Sequence, residues 1–220
     1  MIIETLSESR LHRYGLKSLP EKEVLARYRW NLALSEAFYP ALSLMEVALR
    51  NNIDRALSGL TDDYLDENWL GWVSTPWMIS KGLPNPEQDA LIKTKQKLAR
   101  TAPHYTRGKL VAELNFGFWA GLFKSYYHPK LWINRHKPLH KVFPGDTSLK
   151  ALTVYKRLDT IRLLRNRIAH HEAIFERKNL VVEHRSIMTL IRAMDEETYA
   201  MAVSLDRFHT LYAQGPAFDQ

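Results

Sequence analysis

The chain has 220 residues, 45% of them hydrophobic and 25% charged, with a net charge of +7 and no cysteine. That is long enough for a substantial core, and the absence of cysteine excludes disulfides, thiolate metal sites and a cysteine nucleophile. No apolar run approaches the roughly 20 residues of a bilayer span, and Met1–Thr5 lacks the basic-then-apolar order of a secretory signal, so a cytoplasmic protein with no membrane partner is expected.

Ser7-Glu8-Ser9-Arg10 ahead of Leu11, Tyr14 and Leu16 predicts a short helix or turn with its own cap. Pro20 suits the first turn of the next helix, where a missing N–H costs nothing. Val24, Leu25, Tyr28, Leu32, Ser35 and Tyr39 then recur at helical spacing. Pro40 should kink or split that helix, and Leu42, Met45, Leu49, Ile53 and Leu57 carry the period on to Gly59.

Residues 61–84 hold Trp69, Trp72 and Trp77 among frequent Gly and Pro, which predicts a loop-rich insertion anchored by its tryptophans. A helix is expected from Asn85-Pro86-Glu87 to about Arg100, and another, capped by Thr106, from Arg107 to about Tyr126. Its aromatics around Gly117 and Gly121 read as core, with the small residues admitting a close neighbour; a base-stacking platform is the less favoured use. His128 to Gly145 reads as a connector. His136 and His140 have a metal-compatible spacing, but Pro138 lies between them and no carboxylate is near, so neither a metal nor a cofactor is expected.

Asp146-Thr147-Ser148 should cap the motif helix, about 148–171. Asn179–His184 leaves room for a β-hairpin-like excursion, and a final helix is expected over about 185–212, with Leu190, Ala193, Met194, Tyr199, Val203, Leu205 and Phe208 inward. The reading is one all-α domain over 1–220: a helical bundle carrying a Trp/Pro-rich loop insertion.

Charge is uneven along this plan. Residues 93–143 carry 11 basic side chains and one acid, Glu113, whereas residues 1–92 carry 9 basic and 13 acidic. A cationic middle favours a polyanionic partner, RNA or DNA first. On a helical wheel of 149–171, Ile161, Leu164 and Ile168 share the core face, while Tyr155, Asp159, Arg162, Asn166 and His170 form a second, polar stripe with Arg165 at its border. Histidine, with an ordinary pKa of about 6.5, can take a proton from a ribose 2′-hydroxyl. Arginine offers a fork of donors to a phosphate, and Asn166 can orient either group. Asp159 can pair with Arg162 or Arg165. The bland alternative is a helix C-terminus ended by histidines.

Arg165-Asn166-Arg167-Ile168-Ala169-His170 resembles the Arg-x4-His signature of HEPN domains. Leu163-Leu164 before it and His171-Glu172 after it look like the abortive-infection (Abi-like) branch, as do Tyr28–Leu32, Leu44–Asn51 and Val111–Trp119. The resemblance spans about residues 7–175. It implies a HEPN-like helical bundle, commonly a homodimer with a composite site, and a metal-independent RNA endonuclease acting as a toxin or antiphage effector, with a possible antitoxin or regulatory partner. Carried over, Arg165 and His170 are the catalytic pair and Asn166 their polar partner. Arg162, Arg167 and His171 are candidates for holding RNA, and Asp159 and Glu46 for support. The competing reading is a non-catalytic module that binds RNA, a nucleotide or a protein.

Overall fold

A computed structural model describes residues 2–58, 86–133 and 137–217, apart from the Lys130 side chain. The Trp/Pro-rich insertion, with Trp69, Trp72 and Trp77, lies outside them, as does His136. Among the described residues the chain is all-helical: α1 Ile2–Leu6, α2 Glu8–Leu11, α3 Glu21–Ser58, α4 Pro86–Thr101, α5 Arg107–Glu113, α6 Phe116–Gly121, α7 Ala151–Ala169, α8 Leu180–Met194, α9 Glu196–Leu205 and α10 Phe208–Gln214. Short 3-10 and π turns fill the connector between α6 and α7.

Helix α3, 38 residues long, is the axis on which the rest is mounted. It packs against α5, α6, α8, α9, α10 and the 3-10 turn Pro138–Val142. Of the two outcomes expected at Pro40, the split does not occur, and the helix runs through it. Proline removes one donor and crowds the carbonyl of Glu36, but Glu36 and Tyr39 are exposed, so this turn faces water and can open slightly toward it. Phe38, Ala41 and Leu42 hold the inner side in the core. That inner side also differs from the expected one: Leu34 and Phe38 are buried, while Leu32 and Tyr39 are exposed. By length and composition α3 could cross a bilayer, which corrects the expectation that no segment could. Its apolar face is already occupied by Leu49, Ile53, Leu57 and their neighbours in the core. Pro20 stands just before the helix, its carbonyl accepting from the N–H groups of Glu23 and Val24.

The long helix expected from Arg107 to Tyr126 is two helices. Leu114 adopts an extended backbone because Asn115 caps α6, its side chain accepting from the Phe118 N–H at 3.0 Å. The Trp119 indole N–H satisfies the freed Leu114 carbonyl at 3.2 Å. Phe116, Phe118 and Trp119 are core residues. The small residues do admit a neighbour: a Cβ at Gly121 would overlap the carboxylate of Glu87 on α4. That carboxylate is buried and accepts from Lys124 at 2.7 Å and from Tyr127 Oη at 3.3 Å. Gly121→Ala should therefore lower stability by about 1–3 kcal/mol, the ordinary cost of overpacking. Urea denaturation checks this, and an unchanged midpoint would contradict so close an α4–α6 contact.

Asp146 does not cap α7. Its carboxylate accepts from Ser148 N and Oγ in a turn before the helix, and α7 starts after Lys150 without a side-chain cap. The excursion at 179–184 is helical instead: α8 begins at Leu180, and Leu180, Glu183, His184, Ile187 and Ile191 are buried at helical spacing. The expected final helix is three. Asp195 ends α8 and caps α9 by accepting from the Thr198 N–H at 2.7 Å. Leu190, Ala193, Met194 and Phe208 are buried as expected, whereas Val203 and Leu205 are exposed.

His184 is buried on α8, with Nε2 3.1 Å from Asp206 Oδ1. Burial pushes its pKa below the ordinary histidine value; Asp206 acts upward and His209 downward. We take the 3.1 Å contact as a hydrogen bond donated by a neutral imidazole, because burial is the largest influence. A folded-state pKa below the unfolded one leaves this contribution intact above about pH 6.5 and erodes it as pH falls below that. Melting temperature should drop between pH 7.5 and 5, and less so in His184→Gln. Parallel pH profiles for the two proteins would refute this.

Candidate active site

The motif closes α7. Ile161 and Leu164 are fully buried and Ile168 is partly so, and this apolar face fixes how the helix presents its polar residues. His170 is the C-cap, keeping a backbone bond to the Asn166 carbonyl at 2.9 Å. His171 then turns left-handed at φ 56°. Its N–H reaches the Ile168 carbonyl at 3.0 Å, and the Glu172 N–H reaches Arg167 at 2.8 Å. These two bonds are the Schellman ending of a helix, with histidine where glycine is usual. A non-glycine residue here costs roughly 1 kcal/mol or more, offset by the contacts around it.

Those contacts come from two places. The Arg10 guanidinium donates to the His171 carbonyl at 2.7 Å. Asn31 on α3, 2% exposed, accepts on Oδ1 from the N–H groups of Ile174 at 2.7 Å and Phe175 at 3.3 Å, and donates from Nδ2 to the Glu172 carbonyl at 3.4 Å. One buried amide thus fixes the loop that leaves the motif. Phe175 is locked further by Tyr14, stacked at 5.4 Å, and by Trp30 at 5.9 Å. Arg167 is engaged here too, its Nη1 donating to the Ala173 carbonyl at 3.3 Å and its Nε lying 3.6 Å from Glu172.

The polar stripe is not one continuous surface. Tyr155, Asp159 and Arg162 line a groove of about 290 Å³ with Asn115, Gly117 and Lys124, and Asp159 accepts from Arg162 Nε at 2.9 Å. His170 and His171 line a separate cleft of about 350 Å³ with Ser7, Ser9, Arg10, Arg13 and Tyr14. Arg165 lines neither cleft and is half-exposed, its Nε 3.6 Å from Glu46 Oε2 on α3. Glu46 therefore meets the motif through Arg165, and Asp159 pairs with Arg162. His170 and His171 are exposed and Asn166 is half-exposed. His170 is five positions after Arg165, about 7.5 Å along the axis and 140° around it. His140 packs its ring 4.1 Å from that of Trp132, and burial lowers its pKa. No group of three or more His, Asp and Glu able to hold a metal occurs among the described residues.

A family model described as Abi-like protein matches residues 3–176. The chain belongs to the Abi-like protein family. No curated protein and no solved structure matches it. In this Abi-like protein the matched span runs from the N-terminal segment through α3 to the exit loop of the motif, and α8–α10 lie beyond it. Membership suggests an abortive-infection role. The sequence reading missed Asn31, Arg10, Arg13 and Tyr14. Asn31 lies inside Tyr28–Leu32, a segment quoted for the resemblance without any role; its signal was an amide set between the apolar Trp30 and Leu32.

Proposed function

We propose that this Abi-like protein is a metal-independent RNA endonuclease of the HEPN type, working in the cytoplasm as a homodimer with a composite site, under an antitoxin or other regulatory partner. The observation that carries this reading is an accessible histidine on a rigidly fixed helix end: His170 is exposed while the backbone on both sides of it is tied by the Asn166, Ile168 and Arg167 carbonyls and by Asn31. Such fixity is what proton transfer requires.

In this mechanism a ribose 2′-hydroxyl attacks the adjacent phosphorus and His170 of one protomer takes its proton. The bond from phosphorus to the 5′-oxygen breaks, and that oxygen leaves with a proton from the other protomer's His170. Arg165 donates to the non-bridging oxygens as their charge grows, and Asn166 orients the reacting groups. The products are a 2′,3′-cyclic phosphate and a 5′-hydroxyl. Arg162 and His171 extend the grip on the strand, and Arg167 holds the loop beneath it.

The Arg165–Glu46 pair favours the second reading, a non-catalytic binding module, since Arg165 must leave a carboxylate to reach a phosphate. At 3.6 Å and half-exposed, such a pair is worth at most about 1 kcal/mol, which a phosphodiester can displace. Purified full-length protein should be dimeric and cleave single-stranded RNA. A stable dimer that binds RNA and leaves it intact would select the binding module.

A further inference from the structure

The cleft beside His170 has a second wall that the Arg-x4-His motif does not supply. It is built from the N-terminal segment, in which Ser7 caps α2 and Gly15 turns the chain at φ 98°. Leu11 and Tyr14 pack with Val24 and Ala173 in a small core of their own, and this packing lays Ser9, Arg10 and Arg13 against the motif turn. Two cations and two serine hydroxyls therefore share one cleft with His170 and His171. The one carboxylate among the described lining residues, Glu172, is already paired with Arg167.

The cations differ in their commitments. Arg10 is anchored to the His171 carbonyl, which fixes the segment to the motif. Arg13 is exposed, and no hydrogen bond or ion pair holds its guanidinium among the described residues. Tyr14 supplies an independent sign of a ligand. It lines the cleft and is 1% exposed, and its hydroxyl is buried without a hydrogen-bond partner among the described residues. Burial first, then the neighbouring Tyr28 and, more weakly, the Glu176 carboxylate push its pKa up to about 12, although Arg10 and Arg13 act downward. The group is thus a neutral O–H donor in a setting where two cations outnumber the single carboxylate of Glu176, and such a donor is matched by an anionic acceptor.

We propose that Arg13, Tyr14 and Ser9 form a phosphate subsite next to His170, which holds a phosphodiester of the RNA strand flanking the one that is cut. This rests on the endonuclease reading for its substrate, but binding tests it separately from cleavage. The flanking phosphate would place the strand across the motif turn, with Arg10 as the positioning residue that keeps the two walls together.

The probe is a fluorescent single-stranded oligonucleotide with 2′-O-methyl riboses, which lacks the attacking hydroxyl, titrated with the full chain at several salt concentrations. Arg13→Ala should weaken binding about 5–20-fold and reduce the salt slope by about 0.7, one strand phosphate. Arg13→Lys should restore part of the affinity and all of the slope. Tyr14→Phe should weaken binding about 3–10-fold while its melting temperature stays the same or rises, because it deletes only an unpartnered hydroxyl. Arg185→Ala, on the exposed side of α8, serves as the control.

Equal affinity for 5′-hydroxyl and 5′-phosphate oligonucleotides marks a strand phosphodiester; a preference for the 5′-phosphate would move the site to a chain end and overturn the flanking role. Wild-type binding retained in both Arg13→Ala and Tyr14→Phe overturns the subsite, even if the protein cuts RNA. Binding that responds to both variants in a protein that cuts no RNA upholds the subsite and removes the endonuclease reading instead. No binding by the wild type overturns the subsite outright.

Discussion

His170→Ala should lower the rate of RNA cleavage by about 10²–10⁴-fold, the usual contribution of a positioned acid or base, and leave the fold intact. Nothing in the packing depends on the imidazole: His170 is exposed at the C-cap, and its backbone bond to Asn166 survives truncation of the side chain. The melting temperature should stay within about 2 °C of wild type, in line with surface substitutions of roughly 0.5 kcal/mol or less. Binding of the 2′-O-methyl oligonucleotide should change by less than about fivefold. Loss of turnover with retained fold and binding separates a chemical role from a structural one. A variant as active as wild type would remove His170 from the mechanism.

The second large effect concerns Asn31, which touches no substrate. Asn31→Ala strips partners from the Ile174 and Phe175 N–H groups and from the Glu172 carbonyl, in a place where Ala173 and Ile174 are buried. Each buried group left unsatisfied costs about 1–3 kcal/mol, and part of the loop can relax, so a total of about 2–4 kcal/mol is expected in chemical denaturation. Cleavage should fall as well, at temperatures where the variant is fully folded, because the exit loop holds the turn that carries His170. A loss below 0.5 kcal/mol would show that this amide is not what fixes the loop.

Helices with an unambiguous apolar period were legible in the sequence, as were the caps that Ser7 and Thr106 place at the starts of α2 and α5; breaks inside a continuous apolar period were not. The inner residues of α7 and the second half of α3 follow from spacing, because Ile161, Leu164, Met45, Leu49 and Ile53 have no other place to go. The breaks at Leu114 and Asp195 depend on Asn115 and Asp195 competing with the helix for backbone N–H groups; both have the side chains of N-caps, and both sit inside an apolar period that continues past them. Val181 and Val182 suggested a strand, yet the burial of Glu183, paired with Arg177, and of His184 shows that tertiary packing outweighed β-propensity. Pro40 shows the converse: a strong local breaker overridden because its turn faces water.

The motif was legible as chemistry but not as geometry. Spacing put Tyr155, Asp159, Arg162, Asn166 and His170 on one stripe, and the structure places the first three in a cleft with α6 and His170 in another with the N-terminal segment, while Asn166 lines neither. Neither neighbour is visible from a helical wheel. The Glu46–Arg165 contact joins residues far apart in sequence, and only the segment resemblance hinted at it.

The central claim is that this site cleaves RNA by attack of its own 2′-hydroxyl. The most direct test is end-group analysis of an oligonucleotide with a single ribonucleotide in a 2′-deoxy strand, incubated with the purified full-length protein in EDTA. One cut is expected, 3′ to the ribonucleotide, leaving a 2′,3′-cyclic phosphate and a 5′-hydroxyl. Cleavage of the all-deoxy strand, or products ending in a 3′-hydroxyl and a 5′-phosphate, would contradict it.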